Sequence, residues 1–118
     1  MKEHEVGELQ TINQQVMIDL IGNDHNEIIR FQQQFLIQAK QSLQHIATFY
    51  RTEQLAKIKE EAHFLKTSAK AVGAEICAHH LQTLEDSSQE QDKATCKLHI
   101  QSLSEELKRV YHCITPNG

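Results

Sequence analysis

The chain has 118 residues, and its twelve lysines and arginines stand against sixteen aspartates and glutamates, for a formal net charge of −4 at pH 7. This length fits one domain that buries roughly 65% of its unfolded surface, and the acidic balance argues against a general nucleic-acid binder. No apolar run approaches the ~18 residues that span a membrane, the N-terminus lacks a signal peptide, and three cysteines are typical of reduced thiols, so we expect a cytoplasmic protein.

A short first helix is predicted near the N-terminus. Residues 1–8 are polar, and we expect them to be frayed, as we do residues 115–118. The helix is predicted to end at Gly22-Asn23, a typical C-terminal signal. Its apolar residues recur at helical spacing: Leu9, Ile12, Val16 and Leu20.

A long second helix follows. Asp24 and Glu27 have the spacing of a capping box, so we expect it to begin there and to end at Arg51-Thr52. The segment Gln32-Gln33-Gln34 is predicted to lie on its solvated side. Its apolar stripe comprises Ile28, Phe31, Phe35, Ala39, Ser42, Ile46 and Phe49.

Three further helices complete the chain. We expect Thr52 to cap the third helix and Gly73 to end it, because glycine readily adopts the left-handed conformation that terminates helices. The fourth is predicted to run to Asp86-Ser87-Ser88, and Ser88 with Gln91 to cap the fifth. The apolar stripes are Leu55, Ile58, Ala62, Leu65, Ala69 and Val72, then Cys77, Leu81 and Leu84, then Cys96, Ile100, Leu103, Leu107, Val110 and Ile114.

These elements predict an all-α fold in a single domain, residues 1–118. Short loops between long helices favour antiparallel neighbours, so we expect an up-down four-helix bundle with the short N-terminal helix as an addition.

One histidine stands opposite the apolar stripe of the third helix. At about 100° per residue, His63 projects roughly 140° from the centre of that stripe and should face water. Lys59, Lys66 and Lys70 stand at i−4, i+3 and i+7 from it. An exposed neutral imidazole can attack a phosphoryl group, and Lys66 can pair with the charge that this group adds. The pattern therefore predicts phosphoryl chemistry at His63.

Such a nucleophile needs one defined tautomer, which requires an acceptor for its second ring nitrogen. His63 lies ten residues before Gly73, and Glu85 lies twelve after it, so both sit at similar heights in an antiparallel pair, about 15 and 18 Å from the turn. Either Glu85 or Gln82, one turn earlier, could accept the hydrogen bond.

The segment from Ala62 to Ala74 resembles the histidine phosphotransfer (HPt) domains of bacterial and fungal multistep phosphorelays. The family pattern is a histidine, a lysine three residues later, small residues and a glycine ten residues after the histidine. His63, Lys66 and Gly73 match it. The resemblance covers the whole chain in architecture. The chain looks most like stand-alone HPt proteins of the quorum-sensing type. Thr67 departs from the pattern, because the family commonly has glycine there.

The resemblance implies a phosphorelay intermediate in which Lys66 steadies a phosphoryl group on His63. That group would come from a receiver-domain aspartate of a hybrid sensor kinase and pass to the receiver of a response regulator. Receivers would dock through Lys59, Phe64, Thr67 and Lys70. We expect a monomer. We also expect no cofactor on this chain, because magnesium belongs to the receiver. No ATP-binding or kinase motif is present, so we expect a phosphocarrier rather than an enzyme.

Two alternatives remain open. A helical bundle could bind and regulate a partner without phosphotransfer. Zinc could bind two cysteine-histidine pairs, Cys77 with His80 and Cys96 with His99. The cysteines fall in apolar stripes, where free cysteine behaves as a small hydrophobe, so we expect no metal.

Overall fold

The computed structural model describes residues 8–114, which form five helices and no strand. The four long helices form a closed antiparallel bundle, and the short first helix lies against α2 and α3, so the predicted fold is confirmed. None of the described helices is long and apolar enough to cross a membrane. The predicted fraying of residues 1–8 and 115–118 lies outside the described residues, apart from Glu8. The helices are α1 (Gln14–Ile21), α2 (His25–Arg51), α3 (Leu55–Ala71), α4 (Glu75–Gln89) and α5 (Lys93–Ile114).

The core consists of apolar side chains from all four long helices. Cys77 and Cys96 are completely buried in it, as their positions in the apolar stripes predicted. Burial raises the pKa of the Cys77 thiol, and the nearby Glu106 carboxylate raises it further. The largest completely buried apolar side chains include Ile46, Ile58, Leu65, Leu81, Leu84 and Leu103.

The first helix differs from its prediction at the start. It begins at Gln14 rather than near Leu9, because the Asn13 side chain accepts a hydrogen bond from the Gln15 backbone N–H and caps it there. The buried face also differs from the prediction: Met17 is buried, whereas Leu20 is 63% exposed. The predicted end is correct.

The second helix begins where Asp24 predicted, since its side chain accepts a hydrogen bond from the Glu27 backbone N–H. The prediction that Gln32 is solvated is wrong. Gln32 is buried, and its side-chain amide donates to Gln14 Oε1 at 2.7 Å, so α1 shields it from water. Phe31, placed in the apolar stripe, is instead 42% exposed.

Two predicted caps are wrong. Gln54, not Thr52, stands at the N-cap of α3, and Thr52 donates its hydroxyl to the Thr48 carbonyl at the end of α2. Helix α4 continues through Ser88 to Gln89, so Ser88 is a buried helical residue. Asp92 takes the place predicted for Ser88, because its side chain accepts from the Thr95 backbone N–H at 3.1 Å.

Gly73 ends α3 as predicted, and its backbone also packs against the segment before α1. Its φ of +78° lies in the left-handed region, and a Cβ there would collide with the Asn13 carbonyl oxygen. The Asn13 N–H donates to the Gly73 carbonyl at 2.8 Å. The Glu75 carboxylate accepts from the Gln10 backbone N–H at 2.9 Å and from the Asn13 side chain at 3.0 Å. This segment therefore ties the α3–α4 turn in place.

Candidate functional site

His63 lies on the outer face of α3, and its side chain is 66% exposed. Its position follows from the helix phase, since the adjacent Ala62 and the nearby Leu65 are completely buried in the core. The ring borders an open groove of about 500 Å³ that Lys59 and Glu85 also line. The imidazole is thus accessible to a second molecule.

Glu85 orients the ring from α4. Its Oε1 lies 3.1 Å from His63 Nδ1, while the residue itself is only 9% exposed. Burial alone raises the pKa of Glu85, but hydrogen bonds and charge from Lys66 and His63 outweigh burial and hold the pKa below its ordinary value. An ionised carboxylate only accepts hydrogen bonds, so Nδ1 carries the proton and the lone pair resides on Nε2.

Lys66 is held in a network rather than free in solvent. Its side chain is 13% exposed, and its ammonium lies 2.7 Å from Glu85 Oε2 and 2.7 Å from Gln82 Oε1. Of the two predicted acceptors for the His63 ring, Glu85 therefore contacts the ring and Gln82 contacts the lysine. The Gln82 amide in turn donates to Asp86 Oδ1 at 3.1 Å. Sequence reasoning missed Asp86, although glutamine and aspartate at i, i+4 are a known helical pair.

The remaining predicted contact residues surround His63 on the exposed surface of α3. Phe64 is 60% exposed. Thr67 is exposed, and its hydroxyl approaches the His63 carbonyl at 3.5 Å. Lys59 and Lys70 are both exposed and line separate grooves, one beside His63 and the other beside Lys66. Cationic, hydroxyl and aromatic groups thus surround the imidazole.

A second histidine provides an internal comparison. His45 on α2 is 60% exposed at its side chain, and its Nδ1 lies 3.4 Å from Glu61 Oε2. The same carboxylate oxygen accepts the Ser42 hydroxyl at 2.7 Å. Within residues 8–114, no lysine forms an ion pair with Glu61. His45 therefore shares the exposed ring and the carboxylate of His63 but lacks an ammonium.

The cysteine-histidine pairs do not assemble into the alternative metal site. His80 and His99 meet across α4 and α5 with their Nδ1 atoms 2.9 Å apart, while Cys77 and Cys96 are in the core. The described part of the chain contains no group of three or more histidine, cysteine, aspartate or glutamate side chains placed to hold a metal ion. The two imidazoles instead form a hydrogen bond with one donor and one acceptor.

Comparison with known proteins gives one family and one fold. The model of the Hpt domain family matches residues 30–112. The structure is similar to that of histidine-containing phosphotransfer protein B (HptB) from Pseudomonas aeruginosa PAO1, with a TM-score of 0.83 and 16% sequence identity over 91% of this chain and 93% of that chain. No curated protein matches the chain in sequence.

Proposed function

Because the chain belongs to the Hpt domain family, we propose that His63 is the residue that carries the phosphoryl group. The chain is a histidine phosphotransfer intermediate of a phosphorelay. One observation supports His63 above the other histidines: the Glu85 carboxylate that faces its Nδ1 is also paired with the Lys66 ammonium, whereas the Glu61 carboxylate that faces His45 has no lysine partner among residues 8–114. With its Nδ1 on this carboxylate, the exposed His63 ring has its lone pair on Nε2.

The proposed chemistry is transfer between a receiver aspartate and Nε2 of His63. The Nε2 lone pair attacks phosphorus, and the acyl phosphate P–O bond breaks as the aspartate carboxylate leaves. Lys66, one turn along α3, pairs with the incoming phosphoryl oxygens. Magnesium belongs to the receiver and supplies charge stabilisation there, so this chain contributes the nucleophile and one cation without a cofactor of its own.

The partners follow from this chemistry. Hpt domain proteins interact with receiver domains of phosphorelays. For this chain we propose one receiver on a hybrid sensor kinase and a second on a response regulator, each docking over Lys59, Phe64, Thr67 and Lys70. A monomer is proposed, because the same imidazole must be open to both partners in turn. The quorum-sensing type and the cytoplasmic location stay predictions.

The second candidate function, a bundle that binds partners without phosphotransfer, would need no oriented nucleophile. A phosphocarrier uses the exposed ring, its fixed tautomer and the adjacent ammonium together, which is why we favour it. Since no ATP-binding motif is present in the sequence, we propose that the chain neither binds ATP nor phosphorylates itself.

The test is transfer of a labelled phosphoryl group from a phosphorylated receiver to the wild type, His63→Gln and His45→Gln. His45→Gln is the matched control, since it removes an exposed histidine with its own carboxylate partner. We expect acid-labile, base-stable label on the wild type and on His45→Gln, and none on His63→Gln. Equal labelling of all three proteins would refute the assignment.

A further inference from the structure

Glu85 is shared by two groups that change charge differently during transfer. Its Oε1 faces His63 Nδ1 at 3.1 Å and its Oε2 faces the Lys66 ammonium at 2.7 Å, while its side chain is only 11% exposed. In the resting protein, the Lys66 ammonium lies against this carboxylate and offsets its charge. A carboxylate so shielded from water requires a cationic partner, because burial of an unpaired charge is costly.

Phosphorylation creates a second cation beside this carboxylate. When Nε2 forms its bond to phosphorus, the receiver carboxylate departs with the electrons of the broken P–O bond. Nδ1 keeps its proton, so the ring becomes a phosphorylated imidazolium. Glu85 then faces a positive ring at Oε1, and Lys66 gains a phosphoryl dianion near its own position. The ammonium can move to the phosphoryl group without leaving Glu85 unpaired.

The Nδ1 proton also governs the onward step. As the N–P bond breaks, its electron pair returns to the ring. A ring protonated at Nδ1 leaves as neutral imidazole, whereas an unprotonated ring would have to leave as an imidazolide anion, a far poorer leaving group. A negative charge at Oε1 favours the protonated ring, since an adjacent opposite charge stabilises the charged form.

We propose that Glu85 keeps the phosphoryl group on His63 transferable, by exchanging the Lys66 ammonium for the protonated phosphoimidazole as its partner. This inference rests on the proposed function, because it requires the phosphoryl group to be on His63. Glu85 is a positioning residue that acts through the ring and does not touch the transferred group. Its charge, beyond its ability to accept a hydrogen bond, is what matters.

Glu85→Gln separates charge from geometry. The amide oxygen can still accept the Nδ1 hydrogen bond, so the tautomer is preserved while the negative charge is lost. Glu61→Gln is the matched control, because Glu61 makes the same kind of contact with an exposed histidine, at His45. Both variants and the wild type are phosphorylated with phosphoramidate, a small donor that requires no docking, and the phosphorylated residue is identified by mass spectrometry.

Two quantities are measured. One is the rate of hydrolysis of the phosphoryl group between pH 5 and 9. The other is the pH midpoint for loss of the Nδ1 proton, which is monitored by NMR of the phosphorylated ring. We expect Glu85→Gln to lower this midpoint by about one pH unit and to slow hydrolysis about tenfold at pH values above both midpoints, with Glu61→Gln equal to wild type. The wild type gives an independent reading: its midpoint should be higher in the folded protein than in urea.

Two results would refute different parts of the proposal. Label on a histidine other than His63 would refute the proposed function, and this inference with it. Label on His63 with an unchanged midpoint and pH–rate profile in Glu85→Gln would refute the inference alone. If Glu85→Gln fails to fold, equal wild-type midpoints in the folded protein and in urea would refute it.

Discussion

Lys66 has two roles: its ammonium pairs with the Glu85 carboxylate in the resting protein, and we propose that it pairs with the phosphoryl group during transfer. We predict that Lys66→Ala slows phosphoryl transfer about tenfold or more, because a hydrogen bond to a charged group contributes about 1.5–3 kcal/mol. It should also lower the free energy of unfolding by about 1–3 kcal/mol, since it leaves a buried carboxylate oxygen unpaired. Quenched time courses of phosphoryl transfer measure the first effect, and urea unfolding measures the second.

Lys97→Ala is the control, because Lys97 is an exposed lysine on α5. It should change neither quantity measurably. Transfer kinetics for Lys66→Ala that match those of Lys97→Ala would remove Lys66 from the mechanism.

Gly73 and Gly22 both have positive φ, at +78° and +87°, but differ in their surroundings. A Cβ at Gly73 meets the Asn13 backbone, whereas nothing lies within 4 Å of one at Gly22. We predict that Gly73→Ala lowers the free energy of unfolding by more than about 2 kcal/mol, since a steric clash adds to the left-handed backbone cost of about 1–2 kcal/mol. Gly22→Ala should cost only a backbone penalty of about 1–3 kcal/mol, because its φ of +87° and ψ of 178° lie in a region essentially confined to glycine. A loss in Gly73→Ala no larger than the left-handed backbone cost, measured by urea unfolding, would show that the contact with Asn13 contributes nothing.

At the scale of elements, the interface of α4 and α5 should respond to acid. Burial, together with the positive charges that His99, His79 and Arg109 carry or acquire, lowers the pKa of His80 from 6.5 to about 4. Between these two pH values the unfolded chain binds more protons than the folded one, so acidification favours unfolding. We predict a fall of about 1–2 kcal/mol in the free energy of unfolding from pH 6.5 to 4, less than the full pKa difference implies because the ring is partly solvated.

His80→Gln should flatten this part of the stability profile, while His112→Gln, at an exposed position on α5, should leave it as in wild type. The lowered pKa of Glu85 acts in a different range: its stabilising contribution is lost only as the pH falls below about 4.5. An unchanged slope between pH 6.5 and 4 in His80→Gln would contradict the role of this histidine pair.

Local sequence signals predicted the long helices well. The burial of Gln32 and the packing of the segment before α1 depend instead on contacts between residues distant in sequence. The Asp24 cap and the glycines at 22 and 73 act within a few residues, so sequence alone located those helix ends. Gln32 is buried because Gln14, eighteen positions earlier, covers it. No local pattern encodes such a contact. The same holds for Asn13, whose bonds to the α3–α4 turn span about sixty residues.

The candidate site divides in the same way. Helix phase alone gave the exposure of His63, and helix rise brought both Glu85 and Gln82 to its height. Choosing between them required side-chain directions, which depend on how α3 and α4 pack. In the structure, Glu85 contacts the His63 ring, and Gln82 accepts a hydrogen bond from Lys66.

At the scale of the whole molecule, the net charge of −4 contrasts with the lysines around His63. We predict that replacing Lys59 and Lys70 together by alanine weakens binding to a phosphorelay receiver severalfold at low salt, because complementary charge steers association. The difference should shrink as salt rises, since the Debye length falls from about 10 Å at 0.1 M to about 3 Å at 1 M. Isothermal titration at several salt concentrations measures this.

Lys40→Ala is the matched control, because Lys40 lines a groove between α2 and α5, away from the helix pair that carries the site. Binding by the double variant that is unchanged at low salt, or weakened no more than in Lys40→Ala, would place the receiver on another face of the bundle.

Mapping of the phosphorylated residue is the most direct test that His63 carries the phosphoryl group. The chain contains eight histidines. After transfer from a phosphorylated receiver, fragmentation mass spectrometry at neutral to alkaline pH should find one phosphoryl group on His63 and none on the other seven. Phosphorylation of another histidine in place of His63, with His45 the nearest in geometry, would show that His63 is not the phosphoacceptor.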